Sequence, residues 1–121
     1  MKILLVEDSI ISRNHGAKIL EVLGHSVFPA RTGEQAIEQF CSQKPDVVIT
    51  DLDLPYMDGV DVIRKIRKQD KFAKILVSSC ASDKSLLSGA LEAGACEVLS
   101  KPMQPDQVSK ALSRLNGRSA I

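Results

Sequence analysis

Tryptophan is absent from the 121-residue chain, and one tyrosine with three phenylalanines brings the aromatics to only 3%. Packing therefore falls to Ile, Leu and Val, and a nucleic-acid surface built by stacking bases on aromatic rings has almost no material. Charge of one sign is lacking too: the formal net charge is +1, which gives no long-range pull towards nucleic acid or an anionic membrane. No apolar run is long enough to span a bilayer, and the short run Ile3 to Val6 is followed at once by acids, so no signal peptide is read there. Cysteine is scarce and odd in number. Cys41, Cys80 and Cys96 show neither CxxC nor metal-ligand spacing, which predicts reduced thiols in a cytoplasmic protein, used as small apolar fillers.

What is present is 44% hydrophobic residues, ample for one core, and the length predicts a single domain over residues 1–121. No linker, low-complexity segment or separate output domain is visible. The organising stretch is Val47 to Gly59, an apolar β-branched run that ends in Asp51, breaks at Pro55 and closes with Asp58-Gly59. Unbroken apolar positions fit a strand buried on both faces, as in parallel sheets. Lys2 to Val6, His25 to Ala30, Lys74 to Ser78 and Glu97 to Ser100 read as four further strands. Pro29 places the second at an edge, because proline cannot donate to a central ladder.

Helical spacing fills the intervals. The first helix runs to Leu23 with Ser12, Gly16, Ile19, Leu20 and Leu23 inward, leaving Ile10 and Ile11 off that face and His15 as a solvated surface residue. Thr32 and Gln35 form a capping box for a helix through Cys41. Val60, Val62, Ile63 and Ile66 line a third helix whose charges, Arg67 among them, read as a solvated face. Ser82 or Asp83 caps a fourth that stops at Gly94, and the last runs from about Pro105 to Asn116-Gly117. Strands alternating with helices predict an α/β fold with a five-stranded parallel sheet and helices on both faces, and a second strand at the edge fits the strand order 2-1-3-4-5.

In such sheets ligands sit at the carboxyl ends of the strands. Glu7 and Asp8, Asp51, Ser79 and Lys101 each follow or close a different strand, and together they suit a phosphoryl group and a hard cation. Asp51 is the candidate nucleophile, since an aspartate in a buried strand is costly without partners. An anion attacking an anion needs its charge offset, a task for Mg²⁺, with Mn²⁺ as a substitute. Asp8 and Asp51 are the candidate direct metal ligands, and Glu7 acts through water. Lys101 would hold the phosphoryl oxygens as a point charge. Ser78 is an adjacent rival to Ser79, and spacing to Lys101 favours Ser79.

Glu7-Asp8-Ser9, Asp51-Leu52-Asp53-Leu54-Pro55, Ser79 and Lys101-Pro102, in that order and spacing, resemble the receiver domain of two-component response regulators, over essentially the whole chain. The resemblance implies a flavodoxin-like doubly wound (βα)₅ fold and phosphorylation of Asp51 by a histidine kinase or histidine phosphotransfer protein. It adds the backbone carbonyl of Asp53 to the metal ligands, a cis Lys101–Pro102 bond, and a hydroxyl, Ser79, that moves once Asp51 is modified. It also implies a downstream protein partner, no direct nucleic-acid or membrane contact, and no enzyme activity beyond the chain's own phosphorylation and dephosphorylation. Receivers usually carry Tyr or Phe three residues before the lysine, where this chain has Val98. A second resemblance, of Asp51-Leu52-Asp53 to the first motif of haloacid-dehalogenase-type phosphatases, would make Asp53 an acid/base catalyst; Pro55 at the motif's Thr/Val position and its place after the third strand oppose it.

Overall fold

In a computed structural model, which describes residues 1–80 and 84–119, five strands alternate with five helices: β1 (Lys2–Val6), α1 (Ile10–Val22), β2 (Ser26–Ala30), α2 (Gly33–Gln43), β3 (Val47–Asp51), α3 (Gly59–Gln69), β4 (Lys74–Ser79), α4 (Lys84–Ala93), β5 (Glu97–Ser100) and α5 (Pro105–Ser119). All pairings are parallel and the order is β2-β1-β3-β4-β5, as the sequence predicted. Pro29 sits on the edge strand β2, where its missing N–H leaves no gap in a central ladder.

Successive side chains of a strand point to opposite faces, and the core divides accordingly. Leu4, Val6, Val48, Ile75 and Val77 pack with Ala36 of α2, Val62, Ile63 and Ile66 of α3 and Ala90 of α4. Ile3, Leu5, Val47, Ile49, Leu76 and Leu99 pack with Ile19 and Leu20 of α1 and Val108, Ala111, Leu112 and Leu115 of α5. Each such Leu or Ile, once buried, contributes roughly 1.5–3 kcal/mol. Because β3 is covered on both faces, all five of its residues are buried, Asp51 included.

Local chemistry sets the helix ends. Ser9 Oγ accepts from Ser12 N at α1, Thr32 Oγ1 from Gln35 N at α2, and Asp58 Oδ1 from Asp61 N at α3. Gln35 Oε1 reaches back to Arg31 N, one residue beyond the predicted reciprocal bond. Gly24 (φ +95°) and Gly94 (φ +119°) take the left-handed conformation that ends α1 and α4. Gly59 serves a different need: a Cβ there would lie 2.3 Å from the Asp51 carbonyl oxygen and 2.7 Å from Leu52 Cα. The start of α3 thus lies directly against the end of β3, and Gly59 N donates to Leu52 O at 2.9 Å.

Several expectations change. Helix α5 continues through Asn116 and Gly117 to Ser119, because a glycine weakens a helix by on the order of 1 kcal/mol without itself ending it. Helix α2 runs two residues past Cys41, to Gln43, where Lys44 turns left-handed (φ 49°). Cys41 and Cys80 are exposed rather than core fillers, and only Cys96 is partly buried. Arg67 is not part of a solvated face. Its guanidinium bonds the carbonyls of Gly94, Ala73 and Lys71, tying the end of α3 to the turns that precede β4 and β5. The predicted α4 caps, Ser82 and Asp83, lie outside the described residues. Among the described residues no helix is long and apolar enough to cross a membrane.

Candidate functional site

The parallel sheet delivers the ends of β1, β3, β4 and β5 to one rim. Asp51 closes β3 at 8% exposure, and Glu7, following β1, is buried at 1%. Lys101, just past β5, reaches both: its Nζ lies 2.6 Å from Asp51 Oδ2 and 3.2 Å from Glu7 Oε2. The Lys101–Pro102 bond is cis. Asp51 Oδ1 accepts from the backbone N of Asp53 at 3.2 Å, and the Asp51 carbonyl accepts from Thr50 Oγ1 at 3.0 Å. Asp51 is therefore held on both carboxylate oxygens and at its own backbone.

The two serines predicted as rivals have different surroundings. Ser78 is fully buried and donates to Glu7 Oε1 at 3.2 Å, whereas Ser79, the last residue of β4, donates to the Cys80 carbonyl at 3.0 Å. Asp8 and Asp53 have exposed side chains at the same rim. Arg13 was missed by sequence reasoning: its Nη1 donates to the carbonyls of Glu7 (3.0 Å) and Asp8 (3.2 Å), bracing the acidic turn from α1. Arg13 stands six residues after Glu7 on a new helix, and no spacing rule marks that contact.

Electrostatics follow from burial. Desolvation, together with the neighbouring Asp51 charge, pushes the Glu7 carboxyl from 4.5 to about 7, against the opposing pull of Lys101. Burial works to strip the proton from Lys101, but the Asp51 hydrogen bond and the charges of Glu7 and Asp51 outweigh it and raise its pKa. One ammonium thus serves two buried carboxylates, while Asp8, the residue after Glu7, has its side chain exposed.

That excess of hard oxygen donors over cations suits a divalent ion of the Mg²⁺ type, which needs only one or two carboxylates, a carbonyl and waters. Among the described residues, no three His, Cys, Asp or Glu side chains gather closely enough to hold a metal unaided. Val98, on β5, is partly buried and occupies the position where receivers usually carry an aromatic ring.

Beside Lys101 opens a groove of about 440 Å³, lined by Glu7, Ile11, Ser12, His15, Cys80 and Met103. Ile10 and Ile11, predicted off the core face, are exposed at 63% and 79%. His15 is exposed, as expected, and its Nε2 also lies 3.0 Å from the Met103 carbonyl oxygen.

The family model for the response regulator receiver domain matches residues 3–113. The chemotaxis protein CheY of Thermotoga maritima is 34% identical over 116 residues, covering 95% of this chain and 97% of that protein. The two-component response regulator PhoP of Pseudomonas aeruginosa is 33% identical over 120 residues, which span 99% of this chain and 53% of that longer relative. A solved response regulator receiver domain protein from Clostridium thermocellum superposes with a TM-score of 0.91 at 27% identity, covering 98% of this chain and 96% of that one. With Asp51, Glu7 and Lys101 in contact at the carboxyl ends of a 2-1-3-4-5 sheet, and with these matches across nearly its whole length, the chain belongs to the response regulator receiver domains of two-component systems.

Proposed function

We propose that this chain takes a phosphoryl group from a histidine kinase or a histidine phosphotransfer protein onto Asp51, in a Mg²⁺-dependent reaction, and that modification changes a protein-binding surface. The observation that carries this reading is Lys101 Nζ at 2.6 Å from Asp51 Oδ2 and 3.2 Å from Glu7 Oε2. An ammonium committed to the acceptor carboxylate stands where the oxygens of a transferred phosphoryl group need a counter-charge. A carboxylate oxygen of Asp51 attacks the phosphorus of the donor's phosphohistidine and the P–N bond breaks. The electron pair stays on the imidazole nitrogen, which takes up a proton, and an acyl phosphate remains on Asp51.

Bound Mg²⁺ supplies charge compensation between the carboxylate and the incoming phosphoryl group. The side chains of Asp8 and Asp51 and the carbonyl of Asp53 would hold it, with Glu7 acting through water and Mn²⁺ able to substitute. Ser79, nearly buried at the end of β4, supplies the hydroxyl that follows the phosphoryl oxygens. With Val98 in the aromatic position, the response runs through Ser79 and the rim rather than through a ring swing. The chain acts on itself only. The receiver match supports this role for Asp51 over the phosphatase reading of Asp53, whose motif would follow the first strand of the chain rather than the third. The donor protein docks across the start of α1 and the Pro102–Met103 loop, where exposed Ile11 lines the groove.

Incubation with Mg²⁺ and a small phosphodonor, followed by intact-mass measurement, tests the reading. A gain of one phosphoryl group on the wild type and none on Asp51→Asn is expected, with no turnover of phosphomonoesters. No gain on the wild type, or an equal gain on Asp51→Asn, refutes it.

A further inference from the structure

The loop that carries Lys101 is held from an unexpected side. Met103, two residues on, is 4% exposed and belongs to the core cluster shared with α1 and α5. Its backbone carbonyl faces His15 Nε2 at 3.0 Å, across 88 residues of sequence. A carbonyl oxygen can only accept, so Nε2 carries the hydrogen, and the ring donates there whether neutral or protonated. The next residue on α1 is Gly16, where an added Cβ would stand 2.3 Å from Met103 Cε. Helix α1 therefore grips Met103 twice, by a hydrogen bond to its backbone and by a glycine that lets its side chain lie against the helix.

Lys101 bears on two carboxylates through one long side chain, and its reach depends on where the Lys101–Met103 backbone sits. We infer that His15 is a positioning residue for the phosphoryl-transfer site, fixing through the Met103 carbonyl the backbone from which Lys101 reaches Asp51. The inference rests on the phosphoacceptor reading for its kinetic consequence but not for its geometric one. A displacement of the order of 1 Å at a positioned group can cost up to about 100-fold in rate, and loss of a single tether is expected to cost roughly 10-fold. Gln carries an N–H at the end of a side chain of similar reach, whereas Phe keeps the ring without the donor.

The experiment uses the whole chain, with circular dichroism and thermal melting to establish folding, and compares wild type, His15→Phe and His15→Gln alone and in a Lys101→Ala background. Uptake from acetyl phosphate with Mg²⁺ is expected to slow roughly 10-fold in His15→Phe and to recover in His15→Gln. In the Lys101→Ala background His15→Phe should have no further effect, because the residue acts only through Lys101. The ¹⁵N resonance of the Lys101 ammonium, read without Mg²⁺ or phosphodonor, should move in His15→Phe and return in His15→Gln. Should His15→Phe not fold, His15→Ala carries the same readings. An unmoved Lys101 resonance, failure of His15→Gln to rescue, or an undiminished loss in the Lys101→Ala background overturns the inference. If the wild type takes up no phosphoryl group, the phosphoacceptor reading fails and the Lys101 resonance alone decides the positioning role.

Discussion

Replacing Glu7 by glutamine removes a carboxyl that burial and Asp51 drive from 4.5 to about 7. In the folded chain its ionised form is disfavoured, so between those two values the native state binds more protons than the unfolded state. Stability then falls as pH rises through that window and levels off above it. At about 1.36 kcal/mol per unit, the displacement corresponds to roughly 3 kcal/mol lost by the wild type between pH 4.5 and pH 7.5. Lys101 does not cancel the effect, since its raised pKa keeps its contribution intact until pH passes the usual lysine value of 10.5. His25 works in the opposite direction: burial and the N-terminal charge lower its pKa below 6.5, so stability rises as pH climbs to that value. That slope is common to both proteins and drops out of their difference. In E7Q, Ser78 can still donate to the amide oxygen, but the amide N–H₂ faces Lys101 badly, a constant offset of about 1 kcal/mol. Urea unfolding at half-unit pH steps in Mg²⁺-free buffer should therefore show E7Q gaining on the wild type by up to roughly 3 kcal/mol across the window. A difference that stays constant with pH would refute the reasoning that Glu7 is held in its neutral form by the fold.

Gly59→Ala should be severely destabilising, by roughly 3 kcal/mol or more, because the new methyl meets the backbone of Asp51 and Leu52 rather than a flexible side chain; an unchanged urea midpoint would contradict the close approach of α3 to β3. Asp8→Ala should leave the melting curve near that of the wild type yet abolish Mg²⁺ binding and phosphoryl uptake, and equal, strong Mg²⁺ affinity in both proteins would remove Asp8 from the ligand set. Ile11→Ser, on a side chain 79% exposed at the groove, should slow transfer from a phosphohistidine protein while leaving uptake from acetyl phosphate unchanged. Covering that isoleucine fully with a partner surface is worth roughly 1.5–3 kcal/mol, and equal slowing from both donors would count against docking at α1.

Much of this protein was legible along the chain itself. The two-residue and 3.6-residue periodicities, Pro29 and the glycines at 24 and 94 marked the strands, helices and edge, because each depends on neighbours within a few residues. Asp51 declared itself in the same way, as an acid ending an apolar strand. What only tertiary structure decided are contacts between distant segments: Lys101 on Glu7 across 94 residues, His15 on the Met103 carbonyl across 88, and Ser78 turned towards Glu7 across 71. The same holds for Arg67, whose place on a charged helix face reads as solvated until the turns before β4 and β5 bring carbonyls to it. A side chain's own spacing reports which face of its element it occupies. Whether that face meets water, a carbonyl or a buried acid depends on what the fold packs against it.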